Sequence, residues 1–177
     1  MGWKDRAEVL PDSAVKKGDL YFCHPSDCRL AVTEGLSVAQ DKKQMDKRPG
    51  FIMGMFAYGH PFLDGNGRTM LLVHAELCFR AKMSVNWLLT SKQPYLDALT
   101  KEIQAPNDGH LDAYLKPFIE PQIPRENWLQ SVSDLPGLDG IDAESDVSAG
   151  YSDPAITKEY QEFERRRGYR LENKHPD

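Results

Sequence analysis

The sequence is short of several things that would set its class. It has only 3 cysteines in 177 residues. An odd cysteine count without a regular framework suits a reducing compartment better than a disulfide scaffold. It has no apolar run of roughly 18 residues, so the sequence offers no membrane-spanning helix. It has no surplus of positive charge: 22 Lys and Arg stand against 27 Asp and Glu, a formal net charge of −5. That balance argues against a nucleic-acid partner or an anionic membrane surface. Repeats and low-complexity tracts are missing as well. The start, Met1-Gly-Trp-Lys-Asp-Arg, has no apolar stretch of the export-signal kind. The expectation is a cytoplasmic protein, with delivery to a host cell left open.

What is present reads as an ordinary globular chain, with 40% apolar and 28% charged residues. A chain of this length buries about two thirds of its unfolded surface, which is enough for a core of its own. Residues 1–18 are polar and mixed, with a turn at Pro11-Asp12-Ser13. The run from Asp19 to Thr33 holds two β-prone stretches around Pro25-Ser26-Asp27 and reads as a hairpin. A hairpin alone is marginal, so it is expected to lie on a helical body. Phe51–Gly59 is almost wholly apolar and reads as a short buried helix. A second helix is expected from Asn66 to Lys82, with Met70, Leu71, Val73, Leu77 and Cys78 facing inward. Helical spacing recurs over Tyr95–Ile103 and Leu111–Ile119, and the fold class follows: mainly α, a helical bundle with a small β-hairpin. The catalytic domain is expected over residues 1–120. An extension over 121–177 would hold a short helix anchored by Trp128, an acidic Asp/Gly/Ser-rich linker over 133–155 and a charged helix over 156–174, interrupted at Gly168.

The chemistry is concentrated between the first two helices, in His60-Pro-Phe-Leu-Asp-Gly-Asn-Gly-Arg68. Gly65, Asn66 and Gly67 form a turn that runs straight into a helix. The free N–H groups and positive dipole end of that helix would make an anion hole suited to phosphates. Arg68 can add a forked cation. Asp64 places a hard oxygen ligand beside the phosphates, the usual setting for Mg²⁺. His60 lies near the same mouth and can take a proton near neutral pH. Phe62 between them is an inward-pointing anchor for the loop.

His60, Phe62, Asp64, Gly65, Asn66, Gly67 and Arg68 match position for position the signature H-x-F-x-[D/E]-G-N-G-R. The chain thereby resembles the Fic family, over roughly residues 19–120 and most specifically at 60–68. The resemblance implies a mostly α-helical domain with a hairpin flap near the active site. It further implies transfer of AMP from ATP to a Ser, Thr or Tyr hydroxyl of a target protein. His60 would be the general base, Asp64 the Mg²⁺ ligand, Gly65–Gly67 the anion hole and Arg68 a phosphate contact. The flap, placed at about 19–33, would align the target by adding a backbone strand to it.

Three departures accompany the match. The family pattern carries a second arginine three residues after Arg68, where this chain has Leu71; an apolar side chain gives a terminal phosphate no grip. The inhibitory motif [S/T]-x-x-x-E-[G/N] has no proper copy. The nearest is Gly168-Tyr-Arg-Leu-Glu172-Asn173, so a separate antitoxin-like protein is a conceivable partner. The motif also comes early in the chain. Gly67 stands where the death-on-curing branch, a kinase, has Lys, and this favours AMP transfer. Transfer of UMP or a phosphoryl group, or a degenerate domain acting as a nucleotide- or protein-binding module, are the alternative readings. Cys23, His24 and Cys28, with His110 or His175, are weaker candidates for a metal site. His74 reads as a packed helix residue, Arg165-Arg166-Arg167 as a solvated face, and Trp87 and Trp128 as packing anchors or borders of an adenine pocket.

Overall fold

The structure, a computed structural model, describes residues 5–133, 147–150 and 152–171. Its centre is set by one apolar segment. In chain order the elements are α1 (Arg6–Val9), β1 (Ser13–Lys17), β2 (Leu20–Tyr21), α2 (Cys28–Ala39), α3 (Lys42–Lys47), α4 (Pro49–Gly59) and α5 (Asn66–Arg80). There follow β3 (Met83–Val85), α6 (Lys92–Gln104), α7 (His110–Leu115), β4 (Ile119–Pro121), α8 (Arg125–Ser133), β5 (Val147–Gly150) and α9 (Pro154–Arg167). The fold is mainly α, as the apolar spacing predicts.

Every residue of α4 is buried, because a helix that is apolar all round has no face to give to water. Pro49 opens it with φ already set for a helix. Two glycines let its neighbours approach. A Cβ on Gly54 would stand 2.7 Å from Glu102 Cγ on α6, and one on Gly59 would stand 2.9 Å from Val32 Cγ2 on α2. Around α4 lie α2, α5, α6 and α7, and they close one continuous core that includes Phe51, Met53, Met55, Tyr58, Leu111 and Leu115.

The hairpin is not where the sequence reading puts it. Cys28–Thr33, expected as a strand, is the first half of α2. Pro25-Ser26-Asp27 is a 3-10 turn that feeds the helix, with the His24 side chain accepting from Ser26 N–H. The buried positions Cys28, Ala31 and Gly35 follow the helical period, which the β-branched residues Val32 and Thr33 masked. The hairpin is formed instead by β1 and β2, pairing Lys16 with Tyr21 and Lys17 with Leu20. Between them stand two residues, Gly18 at φ +58° and Asp19. A Gly-Asp pair between short β-prone runs was the missed signal. A second antiparallel pair, β3 with β4, ties the end of α5 to residues 119–121.

The C-terminal segment joins the core. α9 ends at Arg167, at the interruption expected at Gly168, which takes a left-handed cap at φ +63°. Phe163 and Arg167 are buried. The Arg167 guanidinium lies 3.6 Å from the centre of the Tyr58 ring, and its Nε donates to Ile103 O at 2.9 Å. Tyr58 Oη donates to Glu164 Oε1 at 2.5 Å, and Tyr169 Oη to Glu34. Of the basic run, Arg165 and Arg166 are solvated as expected, while Arg167 is a core cation. The linker expected at 133–155 falls mostly outside the described residues, as do Glu172, Asn173 and His175, but within it Val147–Gly150 form a paired strand and Pro154 opens α9, so this part is not a linker.

Two buried groups make stability depend on pH. His74 Nε2 donates to Pro49 O at 2.9 Å, and burial lowers its pKa to about 4. It is a packed helix residue, as expected. Glu102 is fully buried, with Oε2 accepting from Leu111 N–H at 2.9 Å. Burial raises its pKa from 4.5 to about 7. The folded chain therefore keeps a proton on Glu102 where the unfolded chain has released it, so this group's contribution to stability falls as pH rises from about 4.5 to about 7. Glu102→Gln removes that loss. The melting temperature of the variant relative to the parent is expected to climb across this window in thermal unfolding; a difference independent of pH would refute the assignment.

Candidate active site

The motif occupies the corner between α4 and α5, where the chain reverses between two packed helices. His60 caps α4 in the left-handed region, at φ +42° and ψ +55°. Few non-glycine residues adopt that conformation, and it persists only where surroundings over-determine it. Here the surroundings are a buried arginine that the sequence reading passed over. Arg6 is 1% exposed. Its Nε donates to His60 O at 2.8 Å, and its Nη2 donates to Cys23 O at 2.8 Å and Gly59 O at 3.2 Å. Arg6 N donates to Pro61 O at 2.9 Å. A guanidinium at the C-terminal end of a helix also meets the negative pole of the helix dipole.

The His60 ring is held from the other side. Phe22, just after β2, stacks on it at 4.0 Å between ring centres with 25° between planes. His60 is 8% exposed, so the imidazole lies under the hairpin rather than free in solvent. Neither Arg6 nor Phe22 carries a motif spacing, so no local pattern announced them.

The rest of the loop is set by Asn66. Its Oδ1 accepts from Phe62 N–H at 2.9 Å and its Nδ2 donates to Phe62 O at 2.7 Å. The side chain is thus a clamp that closes the turn. Phe62 is half-buried, 6.4 Å from Phe56 between ring centres, and its backbone bridges to Asp5. Gly65 precedes α5 at φ +78°, and no side chain caps that helix. The first-turn N–H groups of Asn66, Gly67 and Arg68 consequently lack intrahelical acceptors. A Cβ on Gly67 would meet nothing within 4 Å, so the face over this turn is open. Asp64 is 79% exposed in its side chain; its Oδ1 accepts from Gly65 N–H at 2.6 Å and its Oδ2 pairs with Arg68 at 3.2 Å. A solvent-facing carboxylate is an oxygen ligand that fits Mg²⁺ brought in with phosphates, while the neighbouring helix N–H groups suit the phosphates themselves.

The structure brings His60, Phe62, Asp64, Gly65, Asn66, Gly67 and Arg68 into one corner. Leu71 is different: at 6% exposure it is part of the core. The weak metal candidate does not assemble. Among the described residues no group of three His, Cys, Asp or Glu side chains could hold a metal. Cys23 and Cys28 lie 3.8 Å apart, with the Arg6 guanidinium 2.9 Å from Cys28 Sγ. A cation already fills the place a metal would take. The Cys23 thiol and then Arg6 hold Cys28 below its ordinary pKa, while burial pushes Cys23 well above. Trp87 and Trp128 line a cavity of about 210 Å³ with Phe79, Met83 and Asn86. That cavity lies beside the C-terminal half of α5, away from the loop.

The model of the Fic/DOC family matches residues 4–78, which takes in Arg6, the hairpin, Phe22 and the whole loop. The chain carries a Fic domain. The fold agrees with a solved structure, the BepC protein of Bartonella tribocorum, a VirB-translocated effector with bound AMPPNP, at a TM-score of 0.53 and 15% identity. The match covers 62% of this chain and 57% of that one, so the chain spans little more than half the length of that relative. The search of curated proteins gives no match. Within the Fic domain, Arg6→Ala strands several buried carbonyls at once and is expected to cost roughly 3 kcal/mol of unfolding free energy in urea titrations. Arg6→Lys is expected to recover only part, since an ammonium cannot fork between separated acceptors; full recovery would show that charge alone matters. Leu71→Arg buries a guanidinium in the core and is expected to cost about 1–3 kcal/mol, against no loss if position 71 faces the loop.

Proposed function

We propose that this Fic domain is a protein adenylyltransferase: it transfers AMP from ATP to a Ser, Thr or Tyr hydroxyl of a target protein. The observation that carries the reading is the juxtaposition of a fixed His60 imidazole with the uncapped N-terminus of α5, over which Gly67 leaves the backbone open. Phosphoryl-type transfer asks little covalent chemistry of a protein. It asks for positioning and for donors aimed at developing negative charge. In this reading the N–H groups of Asn66, Gly67 and Arg68 receive phosphate oxygens, and the Arg68 guanidinium swings from Asp64 to the phosphates. Asp64 would then hold Mg²⁺, which neutralises phosphate charge when bound. His60 accepts the hydroxyl proton as the target oxygen bonds to the α-phosphorus. The α–β phosphoanhydride bond breaks, and pyrophosphate leaves.

The catalytic domain would span residues 1–120, with 121–177 as an extension that braces it, in a bacterial cytoplasm or after delivery to a host. The bound AMPPNP of the BepC structure supports a nucleotide as the substrate. A second reading has its own observation. Leu71 lies in the core, so the second arginine's phosphate contact is absent. Transfer of a different phosphate group, or nucleotide binding without transfer, accommodates that absence.

The test is label transfer with Mg²⁺ and ATP labelled at the α- or γ-phosphate, alone and with bacterial lysate. The expected result is protein-bound α-label that falls at least 100-fold in His60→Ala, the usual worth of a general base, and disappears with a chelator. Stable γ-label without α-label would replace AMP transfer by a kinase reaction. No label, together with nucleotide affinity indifferent to Mg²⁺, would leave the binding-module reading.

A further inference from the structure

The hairpin next to His60 has a third strand. β1 pairs with β2 on one side and with β5 on the other, giving the order β2-β1-β5. The pairs with β5 are Ser13 with Gly150, Ala14 with Ala149, Val15 with Ser148 and Lys16 with Val147, all antiparallel. Without β5, the outer edge of β1 would present a row of unpaired N–H and C=O groups, a ready template for another strand.

That edge is close to the chemistry. Val15 O accepts from Phe22 N–H at 3.0 Å, and the Phe22 ring is the one stacked on His60. One line therefore crosses the sheet from Ser148 through Val15 to Phe22 and ends on the imidazole. With strands about 4.8 Å apart, the backbone at Ser148 stands about 10 Å from that of Phe22. An extended segment of a target protein that paired with β1 would be aligned along this line. The place is already taken by the chain's own Val-Ser-Ala-Gly. Resting on the adenylyltransferase reading, we propose that β5 is an internal competitor for the target's docking edge. A target must displace it with an extended segment of small residues that bears a hydroxyl.

The neighbouring helix explains how so short a strand stays. Only residues 151–153 separate β5 from α9, and α9 grips the hairpin on its own account. Tyr21 Oη donates to Glu159 at 2.6 Å, Lys16 pairs with Glu159 at 3.5 Å, and His24 N–H donates to Tyr160 Oη at 2.9 Å. A short tether of this kind gives an effective concentration in the millimolar range. Four residues of pairing are nonetheless marginal by themselves, so β5 can leave while α9 remains seated on Tyr58 and Ile103.

The test uses the full chain and a fluorescein-labelled peptide of residues 145–153. Ser148→Pro with Ala149→Pro removes two successive N–H groups from β5. Circular dichroism checks that the helical fold is kept, and Ser148→Pro alone replaces the pair if it is not. The opened chain is expected to bind the peptide at least tenfold more tightly than the parent in fluorescence anisotropy, and to label lysate proteins several-fold more from α-labelled ATP. Equal binding by the two chains, or none by either, would overturn the proposal. So would α-label incorporated into residues 147–152 of the parent, because β5 would then be an acceptor. If neither chain transfers label while the peptide result stands, the adenylyltransferase reading fails and the strand exchange survives.

Discussion

The buried guanidinium of Arg6 is the contact on which the corner of this molecule depends. It joins three pieces of backbone through their carbonyls: the exit of β2 at Cys23, the last turn of α4 at Gly59, and His60 itself. Low dielectric makes each of these bonds strong and makes its loss expensive. The left-handed backbone of His60 is tolerable because the chain on both sides is tied down. The Phe62–Asn66 clamp does the same for the turn that follows. The result is a histidine and a helix N-terminus held in fixed relation by groups that take no part in the chemistry.

The same corner couples distant parts of the chain. β2 leads into Phe22, which covers His60; β1 carries β5; and α9 fastens the hairpin through Glu159 and Tyr160. The segment after residue 146 therefore reaches the site twice, once through a strand and once through a helix. α9 is secured by Phe163 and Arg167 in the core, whereas β5 is joined to β1 by a four-residue pairing. The division gives one firm and one yielding contact to the same hairpin, the arrangement an internal gate requires.

Leu71 stands where the family resemblance implies a second arginine, and here the position belongs to the core. An arginine there would have to hold its charge near phosphates and water. A leucine in the first turns of α5 instead finds apolar neighbours and is buried at 6% exposure. The free energy of burying it favours the fold, and in the proposed reaction Arg68 and the backbone N–H groups of the loop above it would receive the phosphates. Glu102 and His74 lie under the same helices as neutral groups in the pH ranges their burial dictates.

Much was legible without coordinates. The helices expected at 51–59, 66–82, 95–103 and 111–119 follow from apolar spacing, although the second ends at Arg80 and the last gives way after Leu115 to a 3-10 turn and β4, and the candidate loop residues His60, Asp64, Gly65, Asn66, Gly67 and Arg68 sit in nine consecutive residues. Both are local patterns, and local patterns survive in one dimension. The hairpin was misplaced because β-branched Val32 and Thr33 imitate a strand, and burial against α4 decides in favour of helix. Arg6, Phe22 and β5 stand 54, 38 and 88 residues from His60, and no spacing rule links them. Their parts in the site arise from close packing, which alone brings a guanidinium under a helix end, a ring onto an imidazole and a late strand to an early edge. The sequence by itself determined the helical class and the candidate loop, since these rest on neighbours in the chain. Only the tertiary structure decided what holds the histidine and what occupies the strand beside it, since those depend on burial and pairing between residues far apart.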